Sequence, residues 1–334
     1  MGAYSTNWKD IHFSSTVVDC HTDVVQQLYG EKNWFGEQVN CRRLGDRSST
    51  GQLDIPRMIE GGVDCEVFVI WSDPKRQYDR TRRGLELADC LLNEISANNA
   101  TIGLATSYGD IVNFNQKGKI AALLSLEGGE PLAGQISMLR NFYRFGVRLI
   151  GLTWSFQNEL GFGIREKPDL GLTEFGFKVI EEANSLGMLV DVSHLNNAGF
   201  YDVIETSRKP IIASHSNSKS VCPHRRNLDD KQIKLIAEHG GAIGINFTPQ
   251  FLAEKDAGID DVIKHVKHIS SIAGFERIGL GSDFDGMENV PRGMEDVTKL
   301  PALTKRMVEE GFKEKDIQNV LGESMLSVFR EVLR

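Results

Sequence analysis

Eight short apolar runs, separated by stretches of helical periodicity, constrain this chain more than any other feature. They are Thr16–Val18, Cys65–Ile70, Ile120–Leu126, Val147–Leu152, Met188–Val192, Ile211–Ala213, Ala242–Ile245 and Ile278–Leu280. Several are too continuously apolar for half-exposed strands and read as parallel strands covered on both faces. Between them, Thr81–Asn98 carries Leu85, Ala88, Leu92 and Ile95 on one helical stripe, and Asp260–Ala273 does the same with Val262, Ile263, Val266 and Ile269. Asp229–Glu238 opens with acids, as a helix start should. Lys313–Leu333 reads as a terminal amphipathic helix. Gln26–Gly62 is longer than a connection needs and is expected as an insertion over one rim. This strand–helix rhythm could also build an open doubly wound sheet, which usually announces itself by a Gly-rich turn after its first strand. Here that strand ends in Asp19-Cys20-His21-Thr22-Asp23. The chain is therefore expected to fold over residues 1–334 as one closed (β/α)8 TIM-type barrel.

Charge and cysteine usage narrow the functional classes. A formal net charge of -8 argues against a nucleic-acid surface, which needs a basic stripe. The 5 cysteines are odd in number and none forms a C-x-x-C pair, so free thiols in a reducing, cytoplasmic setting are expected. The amino end has no apolar run, so neither a signal peptide nor a membrane contact is expected there. Met1-Gly2 with Thr6 fits the myristoylation pattern, which is too permissive to carry weight. A homodimer is compatible with the sequence, to be recognised by an exposed apolar stripe on an outer helix.

In a barrel, working residues stand at the carboxyl ends of the strands. The first strand ends in His21-Thr22-Asp23, and alternate residues of an extended segment face one side, so imidazole and carboxylate can reach a common ion. The third run ends in Glu127-Gly128-Gly129, where a buried carboxylate calls for a cation or a partner. A helix-capping acid is the plainer reading of that residue. His194 and His215 each follow an apolar run, where a core or loop histidine is the plainer reading. The eighth run ends in Asp283-Phe284-Asp285-Gly286. Asp283 suits general acid/base work and Asp285 suits a turn. Taken together, five nitrogen and oxygen donors exceed one tetrahedral site and suit two metal ions sharing a carboxylate. Of the other histidines, His265 and His268 stand at i, i+3 spacing among charged neighbours, as on a solvated helix face.

At these residues the chain resembles the membrane (renal) dipeptidase family of zinc peptidases, among the amidohydrolase-like barrels. The likeness runs from the His-x-Asp to beyond the Asp-Phe-Asp-Gly. It implies that His21 and Asp23 hold one zinc, that His194 and His215 hold a second, and that Glu127 bridges them. It also implies that Arg226, in Arg225-Arg226-Asn227, holds the free carboxylate of a dipeptide, and that Asp283 moves a proton to the leaving amine. Two substrate-contacting positions depart from the family pattern. Trp154 stands where many members have a histidine, and Thr248 where they have a tyrosine. The reading is a two-metal dipeptidase. Another amidohydrolase-type enzyme, acting on an N-acyl amino acid or a cyclic amide, is the first alternative, and a non-catalytic metal-binding protein the second.

Overall fold

A computed structural model describes residues 7–30, 41–75 and 79–333. Nine parallel strands follow one another: β1 Val17–Thr22, β2 Val63–Trp71, β3 Ile102–Leu104, β4 Ile120–Glu127, β5 Val147–Gly151, β6 Leu189–Asp191, β7 Ile212–Ala213, β8 Ala242–Ile245 and β9 Ile278–Leu280. β1 pairs with both β2 and β9, the order runs on to β4, and β4 pairs back to β2. Eight strands thus close a (β/α)8 barrel with helices around it, each ring strand coinciding with one of the eight apolar runs. β3 is the strand that the apolar runs do not announce. It lies along Ile120–Ala122 of β4, and β5 joins β4 only at Leu124, so β3 takes the edge that β5 leaves open.

Strand alternation divides the core in two. Ala121 and Leu123 of β4 point into the lumen with Val18, Cys20, Cys65, Val67 and Leu149. Ala122, Leu124 and Leu126 point outward to the helix layer, which includes Leu87 and Leu91 of the helix Arg80–Ala97. The lumen face of β4 therefore continues through Ser125 to Glu127 at its carboxyl end. At the opposite mouth, Met325 and Phe329 of the helix Ser324–Val332 join the lumen cluster and close it.

The end of the chain is helical over Glu314–Gln318 and Ser324–Val332, with a π turn at Asn319–Glu323 between them. A Cβ at Gly322, in that turn, would lie 2.2 Å from the carbonyl oxygen of Thr16, so only glycine lets the helix reach the foot of β1. Of the rim segment expected over 26–62, residues 31–40 lie outside the described residues, as do Met1, Gly2 and Thr6. Asp285 ties the described remainder to the barrel. Its side chain is fully buried, takes a 2.5 Å contact from Arg42 Nη2, and accepts from the Gln52 backbone N–H at 2.7 Å. The Asp-x-Asp-Gly segment does turn, with Asp283 and Asp285 at φ +66 and +67, but the Asp285 side chain is a buried anchor as well.

Candidate metal centre and active site

The site is assembled at the carboxyl ends of the strands. β1 reaches it through an irregularity that no local pattern announces. Asp19 pairs with Glu66 and Thr22 with Phe68, so three steps on β1 match two on β2. This bulge reverses the facing of the strand. Val18 and Cys20 face the lumen, and through this shift His21 and Asp23 are turned to face the site.

Three imidazoles converge on one carboxylate oxygen. Glu127 Oε1 lies 2.9 Å from His194 Nε2, 3.6 Å from His215 Nε2 and 3.7 Å from His21 Nε2. His194 Nε2 and His215 Nε2 are 2.8 Å apart, and Asp23 Oδ2 lies 3.5 Å from His21 Nε2. Two overlapping groups bring ligand atoms within 4.8 Å of one another: His21, Glu127 and His215, and His21, Asp23 and Asp283. His194 takes φ +70, a left-handed conformation that a histidine rarely adopts, and with it faces Glu127.

The electrostatics of this set are unbalanced without a cation. Burial, opposed by the nearby His21 and reinforced by Asp23, pushes the Glu127 carboxyl well above the usual range. Burial, and then the Asp23 charge, pushes Asp283 up to about 6. Burial works against protonation of His21, but Glu127 and Asp23 carry it to about 10. Burial and then neighbouring cations hold His194 and His215 well below the ordinary imidazole value. His21 Nε2 is buried without a hydrogen-bond partner. Buried nitrogen and oxygen donors, one of them orphaned, packed this closely fit a divalent cation.

The distal imidazole nitrogens are held in turn. Ser214 Oγ donates to Asp191 Oδ2 at 2.5 Å and lies 2.8 Å from His215 Nδ1 and 3.4 Å from His21 Nδ1. Asp191 also accepts from the backbone N–H groups of Ser193 and Ser214. Ser155 Oγ lies 3.1 Å from His194 Nδ1. These supporting residues went unassigned in the sequence. Ser214 abuts His215, and Asp191 lies three residues before His194, but what they hold is set across strands.

A cavity of about 760 Å³ opens over this cluster. Arg226 lines it, 7% exposed, with Nη2 donating to the His215 carbonyl at 3.2 Å and its guanidinium over the Phe251 ring. Arg225 lines it as well, from an exposed position. Trp154 forms an aromatic wall with Trp71 at 5.3 Å and Phe156 at 5.5 Å, and stacks on His194 at 5.8 Å. Thr248 lines the cavity, and its hydroxyl donates to Asp283 Oδ2.

Two further histidines differ from expectation or stand apart. His265 is not on a solvated face. It is wholly buried on the helix Ile259–Ala273, accepting from the Ser218 N–H and donating to the Leu252 carbonyl. With both ring nitrogens satisfied, a neutral imidazole can sit among Val262, Ile263 and Val266. His268 pairs with Asp230 at 2.8 Å. All five cysteines are free thiols, and among the described residues no helix is long and apolar enough to cross a membrane.

Comparison with known proteins agrees with this geometry. The family model for membrane dipeptidase (peptidase family M19) matches residues 6–334. The dipeptidase aclJ of Aspergillus oryzae is 31% identical over 298 residues, covering 84% of this chain and 70% of that protein. The crystal structure of the dipeptidase AC, a metallopeptidase of family M19, superposes with a TM-score of 0.85 at 30% identity, covering 96% of this chain and 99% of that one. A metallopeptidase from Rhodobacter sphaeroides, liganded with a phosphinate mimic of the dipeptide L-Ala-D-Ala, gives 0.84 at 29% identity, with 95% and 99% covered. A barrel with nitrogen and oxygen donors gathered at its carboxyl-terminal mouth, matched over nearly its whole length, is a metallopeptidase, and the chain belongs to the membrane dipeptidase family, peptidase family M19.

Proposed function

We propose that the protein is a two-metal dipeptidase that hydrolyses the amide bond of short peptides bearing a free carboxyl-terminal carboxylate. The observation that carries this reading is the convergence of His21, His194 and His215 on Glu127 Oε1, in a cavity that Asp283 and Arg226 also line. His21, Asp23, Glu127, His194 and His215 would hold two divalent ions, most simply zinc as in the family the chain resembles. Such ions supply Lewis acidity, bringing the pKa of a water towards neutrality and polarising the amide carbonyl.

The chain's own groups do the rest. Asp283 accepts the proton of the attacking water and delivers it to the departing amide nitrogen. Arg226 fixes the substrate carboxylate, an arrangement a guanidinium favours through two parallel hydrogen bonds. Trp154 and Trp71 wall the cavity with apolar surface and exclude water from one side of the reacting bond. Thr248, which the resemblance assigns to the substrate, holds Asp283 in place.

The test is metal analysis of the purified protein combined with a panel of dipeptides, N-acyl amino acids, cyclic amides and phosphoesters. The expected result is close to two ions per chain and a preference for dipeptides over their carboxyl-amidated forms. A preference for N-acyl amino acids or phosphoesters would overturn the peptidase assignment. Bound metal with no turnover on any substrate would leave a binding protein.

A further inference from the structure

We propose that the arginines beside the site select dipeptides whose carboxyl-terminal residue carries a second carboxylate, an inference that rests on the dipeptidase reading. Three guanidinium groups gather at one wall of the cavity: Arg165, Arg225 and Arg226. His224 stands among them, its Nδ1 accepting from the Arg226 backbone N–H at 3.2 Å. Burial first, and then these three cations, pull the His224 imidazole down to about 4, so this wall carries no added charge from histidine near neutral pH.

One α-carboxylate does not need three guanidiniums. Arg226 is buried and has Asp283 and Glu127 near enough to act on it. Arg165 and Arg225 are exposed at the mouth, and neither makes an ion pair among the described residues. Two cations without an ion pair beside a buried one make this wall locally positive, apart from the carboxylates Asp23, Glu127 and Asp283 on the metal side of the cavity, and such a wall favours an anion.

A second cavity of about 290 Å³ adjoins this wall and shares His194, Arg225 and Arg226 with the main one; Lys167, Lys219, Arg225 and Arg226 line it against the two acids Glu166 and Asp169, so cations prevail there. Ser216 lines it, 2% exposed, and its hydroxyl has no hydrogen-bond partner. Arg226 Nε is likewise buried and unpartnered. The scissile amide must sit at Glu127 and Asp283, with the α-carboxylate at Arg226. The group that then reaches the flanking cations and the side cavity is the side chain of that same residue. A buried free hydroxyl and two free guanidiniums suit a carboxylate there better than an amide, because each charged pair is stronger than its neutral counterpart.

The experiment compares alanyl-glutamate, alanyl-glutamine and alanyl-alanine, each with an L and a D carboxyl-terminal residue. The proteins are the metal-loaded enzyme and the variants Arg165→Met, Arg225→Met and the double variant. The expected kcat/KM for the glutamate peptide exceeds that of the isosteric glutamine peptide by about tenfold, mainly through KM. The double variant should bring that ratio close to one. Equal rates on the two peptides in the unaltered enzyme, or a ratio that survives in the double variant, would overturn the proposal. Failure to cleave any of the three peptides would remove the dipeptidase reading itself, and this inference with it.

Discussion

Thr248 Oγ1 donates to Asp283 Oδ2 at 2.7 Å, and Asn246 Nδ2 donates to the same oxygen at 2.9 Å. The Thr248 N–H in turn donates to Asn246 Oδ1, so the clamp is braced at its base. With two donors on Oδ2, the other carboxylate oxygen is left for proton transfer. A hydroxyl at this position thereby orients the proposed acid/base.

Thr248→Val keeps the shape and removes the donor. A hydrogen bond to a charged group contributes about 1.5–3 kcal/mol, so kcat should fall roughly 10- to 100-fold. KM should stay within about twofold if Thr248 acts through Asp283 rather than on the substrate. Thr248→Ser should recover most of the loss. A Ser variant as slow as the Val variant would contradict the clamp.

Asp283→Asn removes the proton carrier and keeps the side-chain volume. Turnover should drop by about 10²- to 10⁴-fold, the usual contribution of a positioned acid/base, with metal content unchanged by elemental analysis. Loss of metal alongside turnover would instead make Asp283 a ligand, as its grouping with His21 and Asp23 allows.

Ser214 touches two of the proposed ligand histidines and relays Asp191 to them. Ser214→Ala should weaken metal affinity by roughly 10- to 100-fold in a competitive chelator titration. Turnover should return at high metal concentration, and the melting temperature should rise with added metal, since an ion that binds only the folded state stabilises it. Unchanged affinity would reduce Ser214 to a packing residue.

His265 supplies a pH dependence away from the site. Burial is the main cause that takes its pKa from 6.5 to about 4, so the folded chain keeps it neutral while the unfolded chain protonates it. Its contribution to stability is full above pH 6.5 and is lost as pH falls towards 4, because the unfolded state binds the extra proton in that window. The loss is on the order of 3 kcal/mol. His265→Gln should flatten the pH slope of the unfolding free energy between pH 4 and 7. An unchanged slope in denaturant titrations would show that His265 takes up its proton as readily in the folded protein as in the unfolded chain.

The barrel was legible because buried parallel strands are written as apolar runs, and all eight ring strands carry one. β3 was not, because a tripeptide edge strand has no room for a pattern. The strand ends exposed the ligand candidates His21, Asp23, Glu127, His194 and His215, since acids and imidazoles directly after apolar runs stand out locally. The bulge between Asp19 and Thr22 left no mark, because the residues on either side of it are all buried. His265 misled for a related reason. Its neighbours in sequence are charged, while its hydrogen bonds come from Ser218 and Leu252, far along the chain.

Local order in the chain therefore determined which strands form the ring and which side chains end at its carboxyl-terminal mouth, because apolar runs and strand ends are properties of neighbouring residues. Tertiary structure alone decided that three imidazoles meet on Glu127 Oε1, that Ser214 joins Asp191 to two of them, and that Thr248 holds Asp283. Those contacts join residues up to about 190 positions apart, and only closure of the barrel brings them within hydrogen-bonding distance.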